Sequence, residues 1–269
     1  MNFSVTLSGA VVLIVLFVAF CLGILRLVRR VLRPEELESH NVVTDPLSQL
    51  VGMMFAILLG FMVGDAMNRF AAARAIVQQE ASSVADVFRL AAGFEAADRE
   101  RIRSLCSQYV DEVIDDEWPK MAHMKTSNKV WKTYNQLWET LTALKAKDES
   151  QAAVLQCILP CMVSTGDNRR MRVESMHNGL PPVLWVVLGI AAAASILFTF
   201  LFGARNRILQ MVMTSIVTTV MGLNIFLLAS YDDPFSGDIM IHPDAFVVDQ
   251  KTFKAAVDKI DPFETDESL

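Results

Sequence analysis

The sequence lacks the features of several common protein classes. It has no basic stripe and a formal net charge of −6, so nucleic acid is not an expected partner. Its four cysteines lack zinc-site spacing and its four histidines are scattered, so we expect no metal site. No nucleophile–base pair or pair of carboxylates occurs at a catalytic spacing, and we therefore expect neither an enzyme nor a cofactor.

Charge is absent from four long apolar runs, which cover residues 8–25, 46–64, 181–203 and 208–230. At about 1.5 Å per residue, a helix of this length crosses a hydrocarbon core of about 30 Å. Lipid offers no partner for backbone polar groups, and the runs lack the alternation of barrel strands. Each run is therefore predicted to be a transmembrane helix, which makes the lipid bilayer the first expected partner. No basic segment precedes the first run, so we interpret it as a helix of the mature protein rather than a signal peptide.

The second run is predicted to continue out of the bilayer as one long helix. No proline occurs between Gly52 and Leu90, and the alanines beyond Arg69 favour helix. A break is expected at Gly93.

Three further helices are predicted between the second and third runs, from the spacing of apolar residues. They cover residues 96–118, 127–146 and 149–177. Ser127 is a plausible N-cap, and Pro160 should kink the last of the three.

The predicted fold is therefore all-α, a polytopic membrane protein with four transmembrane helices and a helical extramembrane domain between helices 2 and 3. The predicted segments are transmembrane helices 1 and 2 in residues 8–66, the helical domain in 67–180, transmembrane helices 3 and 4 in 181–230, and an acidic tail in 231–269.

The cysteines are interpreted as buried free thiols. Cys21 lies in the first run, whereas Cys106, Cys157 and Cys161 lie in the inserted domain. Cys157 and Cys161 are one helical turn apart, which is a poor geometry for a disulfide within one helix.

Small residues form a ridge along the second run. They recur at steps of four: Gly52, Ala56, Gly60 and Gly64. Such a ridge allows another helix to approach closely, so we interpret it as a helix-packing face.

The adjacent ridge of the same helix is bulky and apolar and becomes polar at its end. It comprises Met53, Ile57, Phe61 and Asp65, with Asn68 and Arg69 just beyond. Around the axis of an oligomer, the apolar members would form a constriction that gates by excluding water, with a ring of Asp65 carboxylates beyond it. The alternative is that these side chains face lipid or a neighbouring helix, with Asp65 paired to Arg69 at i+4. Four helices carry too little polar surface for a channel within one subunit.

These residues resemble those of a known family. Residues 59–63 (Leu-Gly-Phe-Met-Val), followed by Arg69-Phe70, are similar to the second-helix signature of bestrophins, Leu-Gly-Phe-Tyr-Val, five residues and Arg-Trp. A loop after the fourth run resembles the bestrophin Asn-Pro-Phe-Gly and comprises Asp233, Pro234, Phe235, Ser236 and Gly237.

A broader resemblance, over roughly residues 45–245, is to a bacterial bestrophin-like membrane protein family, a domain family of unknown function. Its features here are Gly60-Phe61, Ala66, Arg74, Glu80-Ala81, Tyr109-Val110-Asp111, Leu180-Pro181-Pro182 and Pro234-Phe235-Ser236-Gly237.

Bestrophins are pentameric anion channels whose second helix lines the pore, so the resemblance implies a homo-oligomer that conducts inorganic ions. It places the apolar neck of the pore on Met53, Ile57 and Phe61, and the inserted domain in the cytoplasm of a bacterial inner membrane. The arginines flanking the four runs are almost evenly divided between the two sides and do not decide the orientation.

Two further departures from bestrophins bear on the expected function. Only Phe61 keeps the aromatic type at the neck, and Asp238 is followed by Ile239-Met240-Ile241 instead of the acidic cluster of calcium-gated bestrophins. Calcium gating is therefore not carried over. The alternative function is a membrane-anchored interaction or regulatory module whose helical domain binds a partner.

Overall fold

The structure is a computed structural model that describes residues 7–31, 34–201 and 206–258. All regular structure in these ranges is helical. The helices are α1 (Leu7–Val31), α2 (Pro34–Leu90), α3 (Ala96–Glu112), α4 (Trp118–Met121), α5 (Asn128–Ala143), α6 (Glu149–Ser175), α7 (Pro182–Leu201), α8 (Arg207–Asp232) and α9 (Asp244–Asp258). A 3₁₀ turn (Ala91–Gly93) follows α2, and a π turn (Val113–Glu117) joins α3 to α4.

The chain divides into two compact units. The membrane unit comprises the described residues within 1–70, 179–233 and 237–239, and the helical unit comprises those within 71–178, 234–236 and 240–269. The second helix contributes its first part to the membrane unit and its last part to the helical unit.

The membrane unit contains the segments long and apolar enough to cross a bilayer, which are four in the described part of the chain. This confirms the predicted polytopic all-α class. One face of α2, with Phe55, Leu59, Met62 and Ala66, packs in a single cluster with Leu180, with Leu188 and Ala192 of α7, and with Leu228 of α8. A second cluster joins Cys21 and Leu25 of α1 to Ile196 and Phe200 of α7.

The helical unit buries apolar residues from each of its long helices. Buried members include Val84 and Phe88 of α2, Ile102 of α3, Leu137 of α5 and Ile158 of α6. Because α9 belongs to this unit, the acidic tail is not a simple extension; it contains a helix that the sequence analysis did not predict. Residues 259–269 of the tail lie outside the described residues.

The predicted helices of the inserted domain are confirmed, with small shifts at their ends. Ser127 caps α5 as predicted, because its hydroxyl oxygen accepts hydrogen bonds from the backbone of Lys129 and Val130. The second helix begins earlier than predicted, at Pro34, whose fixed φ suits the first helical position. It continues through Pro46.

The interpretation of the cysteines as buried free thiols needs one correction. All four are free, and Cys21 and Cys106 are buried. Cys157 is exposed and Cys161 is half-buried, because this part of α6 turns them away from the core that Ile158 and Met162 enter.

Candidate functional site

One edge of α2 within the membrane unit is uncovered by the rest of the described chain. Phe61 is 76% exposed, Met53 64% and Ile57 49%, and Asp65 and Asn68 are exposed beyond them. Five of the predicted pore-lining residues therefore share one accessible edge, because the α2 side chains packed within the membrane unit lie on the opposite face. The sixth, Arg69, is half-buried. Which surroundings this edge meets in the membrane stays a prediction.

The ridge of small residues on α2 makes no close packing contact with the described helices of the same chain. A Cβ added at Gly52, Gly60 or Gly64 would meet no atom within 4 Å, and Ala56 is exposed. The α2 face that packs within the membrane unit carries larger side chains instead, such as Phe55 and Leu59. The packing role predicted for this ridge therefore requires a partner other than the described helices of the same chain.

Arg69 joins two carboxylates at the end of the apolar edge. Its Nε lies 3.3 Å from Asp65 Oδ2, and its Nη2 lies 3.3 Å from Asp232 Oδ1 at the end of α8. The same Asp232 oxygen accepts a hydrogen bond of 2.7 Å from the backbone N–H of Leu180. The pairing of Asp65 with Arg69 that the i+4 spacing allowed is thus present, and it holds a positive charge beside the exposed carboxylate.

Sequence reasoning missed Asp232, although it adjoins the motif loop. An acidic residue at a helix C-terminus is unfavourable to the helix dipole, so its presence there was a usable signal of a specific partner. The neighbouring Tyr231 packs its ring edge-on against Phe70, with centroids 5.3 Å apart. Together these contacts fix the end of α8 against α2 within the membrane unit.

The motif loop after α8 buries three of its residues, Pro234, Phe235 and Ser236. The Phe235 ring meets Trp118 edge-on at 5.9 Å. The Pro234 carbonyl accepts a hydrogen bond of 2.9 Å from the backbone N–H of Ile241. Gly237 has a φ of 86°, in the left-handed region that favours glycine, which accounts for glycine at this position. Asp233 is half-buried at the C-cap of α8.

A buried network of charges occupies the centre of the helical unit. Arg172 Nε donates to Glu80 Oε2 at 2.7 Å, and its Nη2 donates to Glu117 Oε2 at 2.8 Å. Arg169 Nη2 donates to the other Glu117 oxygen at 2.5 Å. The Tyr109 hydroxyl donates to Glu80 Oε1 at 2.7 Å. The network joins four segments: α2, α3, the π turn and α6.

Burial and pairing set the protonation of this network. Burial opposes the charge on Arg172, yet the Glu80 and Glu117 carboxylates raise its pKa above the ordinary value. Burial likewise opposes ionisation of Glu117, but Arg172 and Arg169 hold its pKa below the usual range. Burial and the adjacent Glu80 charge raise the pKa of Tyr109 well above its ordinary value. The network is therefore two carboxylates balanced by two guanidiniums, with Tyr109 as a neutral donor.

Two members of the network, Glu80 and Tyr109, were in the motifs that carried the family resemblance, but no role was assigned to them. Glu117 and Arg172 were missed. A signal was available on α6, where Arg169 and Arg172 continue the helical face of the buried Ile158 and Met162. Charges on the apolar face of a helix indicate buried partners, because an unpaired buried charge is costly.

No group of three or more metal-ligating side chains occurs in the described ranges. The candidate features are the uncovered apolar edge and the arginine between two carboxylates in the membrane unit, and the buried charge network in the helical unit.

Comparisons with known proteins agree with this architecture. No curated protein matches the chain in sequence. A crystal structure of a bacterial bestrophin homologue from Klebsiella pneumoniae is 12% identical, with a TM-score of 0.64 over 91% of this chain and 99% of that chain. A variant of that homologue gives a TM-score of 0.66 at 12% identity, over 89% of this chain and 98% of that chain. At these identities the likeness concerns the fold.

The family assignment rests on the sequence itself. The family model of the bestrophin-like domain matches residues 15–246, which cover most of α1, the other three apolar helices, the inserted helices and the motif loop. The chain is a member of the bestrophin-like domain family.

Proposed function

We propose that this chain assembles into a homo-oligomeric ion channel, a pentamer as in bestrophins, whose pore is lined by the outer edge of α2. The observation that carries the proposal is the uncovered edge formed by Met53, Ile57 and Phe61. Copies of this edge around a common axis make a narrow apolar constriction, which controls permeation by excluding water.

The change in character along the edge favours a pore over a lipid contact. The apolar residues lead directly to Asp65 and Asn68, which are exposed. A carboxylate facing only hydrocarbon is costly, whereas one at the mouth of a pore remains hydrated. The small residues beside the edge leave room for a neighbouring copy to approach closely.

The ion pairs of Arg69 reduce the negative charge beside the proposed path. A ring of bare Asp65 carboxylates would repel anions, but each has an arginine 3.3 Å away. Asp232 also pairs with that arginine. The net charge of this cluster therefore depends on Arg69, which offsets part of the charge of the two carboxylates. We further propose a bacterial inner-membrane location with the helical unit in the cytoplasm, as in the family.

Flux from liposomes containing the purified protein tests the proposal. Phe61→Ala should increase the rate of chloride release, because it widens the constriction. Phe20→Ala on α1 is the matched control, since it removes a phenyl that is 64% exposed from a helix outside the proposed pore. Unchanged release by Phe61→Ala, or an equal increase by both variants, would contradict the proposal.

The mass of the detergent-extracted complex is the second test. The proposal expects a pentamer. A monomer or dimer cannot ring an axis with α2, and that result would favour the alternative of a membrane-anchored interaction module.

A further inference from the structure

The last described helix, α9, presents a mixed face to the rest of the helical unit. Its buried side chains are Phe246, Asp249 and Phe253, at positions i, i+3 and i+7. The Phe253 ring stacks on Phe88 of α2 at 4.0 Å, and the Phe246 ring lies 6.1 Å from Trp118. This spacing is typical of an apolar stripe, so the carboxyl group between the two phenyl rings is the exception.

Asp249 is nearly enclosed and lacks a partner for its charge. The residue is 9% exposed, and its Oδ2 is buried without a hydrogen bond. The charges that act on its carboxyl group are those of Arg89 and Asp86 of α2, and these two pair with each other at 3.1 Å. A carboxylate in such a position loses its hydration without replacement, whereas a neutral carboxyl loses much less.

Charged groups on the other elements around α9 have partners of their own. Arg103 of α3 donates to the Phe88 carbonyl, and Asp111 of α3 accepts from Gln250. Glu117 of the π turn is paired with Arg169 and Arg172 of α6. The remaining acidic groups of the π turn are the exposed Asp115 and the half-buried Asp116, which pairs with Lys120 and Lys129.

We propose that Asp249 is a proton-binding site that links the docking of α9 to pH. The helix docks with Asp249 neutral, and ionisation of the carboxyl group loosens it. The ligand is the proton itself, and the site is the Asp249 carboxyl group on the face of α9 that also buries Phe246 and Phe253. This inference does not depend on whether the protein conducts ions.

The direction of the pH effect follows from the environment of the carboxyl group. Burial raises the pKa of Asp249 to about 7, with Arg89 opposing the rise and Asp86 adding to it. In the undocked helix the group titrates near its ordinary value of about 3.9. Docking therefore takes up a proton between these values. The docking equilibrium should weaken by up to about tenfold per pH unit across this interval and then level off.

Hydrogen exchange of the full-length protein in detergent tests the inference. The exchange rates are converted to protection factors, which removes the intrinsic pH dependence of exchange. Protection of α9 peptides should fall from about pH 5 to about pH 7 and remain constant to about pH 9. Asp249→Asn, which is neutral and nearly isosteric, should keep the acidic level of protection at every pH. Asp244→Asn, an exposed control on the same helix, should follow the wild type.

Three results would overturn the inference. The first is protection of α9 that does not change with pH in the wild-type protein, a measurement that requires no variant. The second is an Asp249→Asn profile equal to that of the wild type. An Asp249→Asn protein in which α9 is undocked at all pH values would also contradict it, because the neutral side chain is the form assigned to docking.

Discussion

The two units differ in which side chains they expose and which they bury. The membrane unit leaves Phe61 exposed to its surroundings, whereas the helical unit encloses the Arg172 guanidinium completely. The membrane unit is complete only with lipid or other copies against it, because its uncovered residues are large and apolar. The helical unit pairs the charges of its central network within one chain, since each carboxylate of Glu80 and Glu117 meets an arginine.

The largest expected effect is at the buried network. Arg172→Met removes the guanidinium that holds both glutamates; Glu80 then loses its paired cation, whereas Glu117 keeps Arg169. Loss of one partner of a buried ion pair costs about 3–5 kcal/mol. Thermal unfolding of the helical unit, followed by circular dichroism, should show this loss as a lower midpoint. Arg170→Met on the same helix is the control, because that arginine is exposed and pairs only with Asp167. Equal midpoints for the two variants would contradict the structural role of the network.

The next prediction compares a glycine-to-alanine substitution in each of the two units. Gly166→Ala in the helical unit would press a methyl group against the Tyr134 ring and hydroxyl. Overpacking of this kind costs about 1–3 kcal/mol. The expected result is lower stability of the helical unit, measured by thermal unfolding.

Gly60→Ala in the membrane unit should leave chain stability unchanged or slightly higher, because the added methyl group has open space and alanine favours helix. If the ridge is an interface between copies, the same change should weaken assembly, measured as mass in detergent. If Gly166→Ala and Gly60→Ala lowered stability by similar amounts, the predicted difference between a glycine packed against Tyr134 and a glycine with open space around it would be wrong.

A smaller effect is expected at the charge pairing beside the apolar edge. Arg69→Gln frees Asp65 and Asp232 from their shared cation, so the reversal potential in an anion gradient should move toward cation permeation. Arg74→Gln is the control, since that arginine lies beyond this pairing on α2 and is exposed. An unchanged reversal potential would show that Asp65 lies away from the ion path.

The fold was predictable because its main signals are local. The four uncharged runs and the proline-free stretch after Gly52 determine helices by composition alone. Ser127 was recognisable as an N-cap from its residue type and position. The start of α2 at Pro34 was missed because the apolar run begins later than the helix, and α9 was missed because its stripe of apolar residues is interrupted by Asp249.

The candidate site was predictable only in part. The spacing of Met53, Ile57 and Phe61 placed them on one edge, and the structure leaves that edge uncovered. The partnership of Asp232 with Arg69 could not be read from the sequence, because it joins residues 163 positions apart. The buried network has the same character: Glu80 and Arg172 are separated by 92 positions, and only packing brings them together.

The most direct test of the proposed pore is cross-linking between copies at position 61. In a background with Cys157 and Cys161 replaced by serine, Phe61→Cys should be linked into covalent dimers by a short bis-maleimide in liposomes, because each subunit then offers one accessible thiol. Phe20→Cys on α1 should remain a monomer under the same treatment. Equal cross-linking at the two positions, or none at position 61, would contradict the claim that this edge of α2 faces a shared axis.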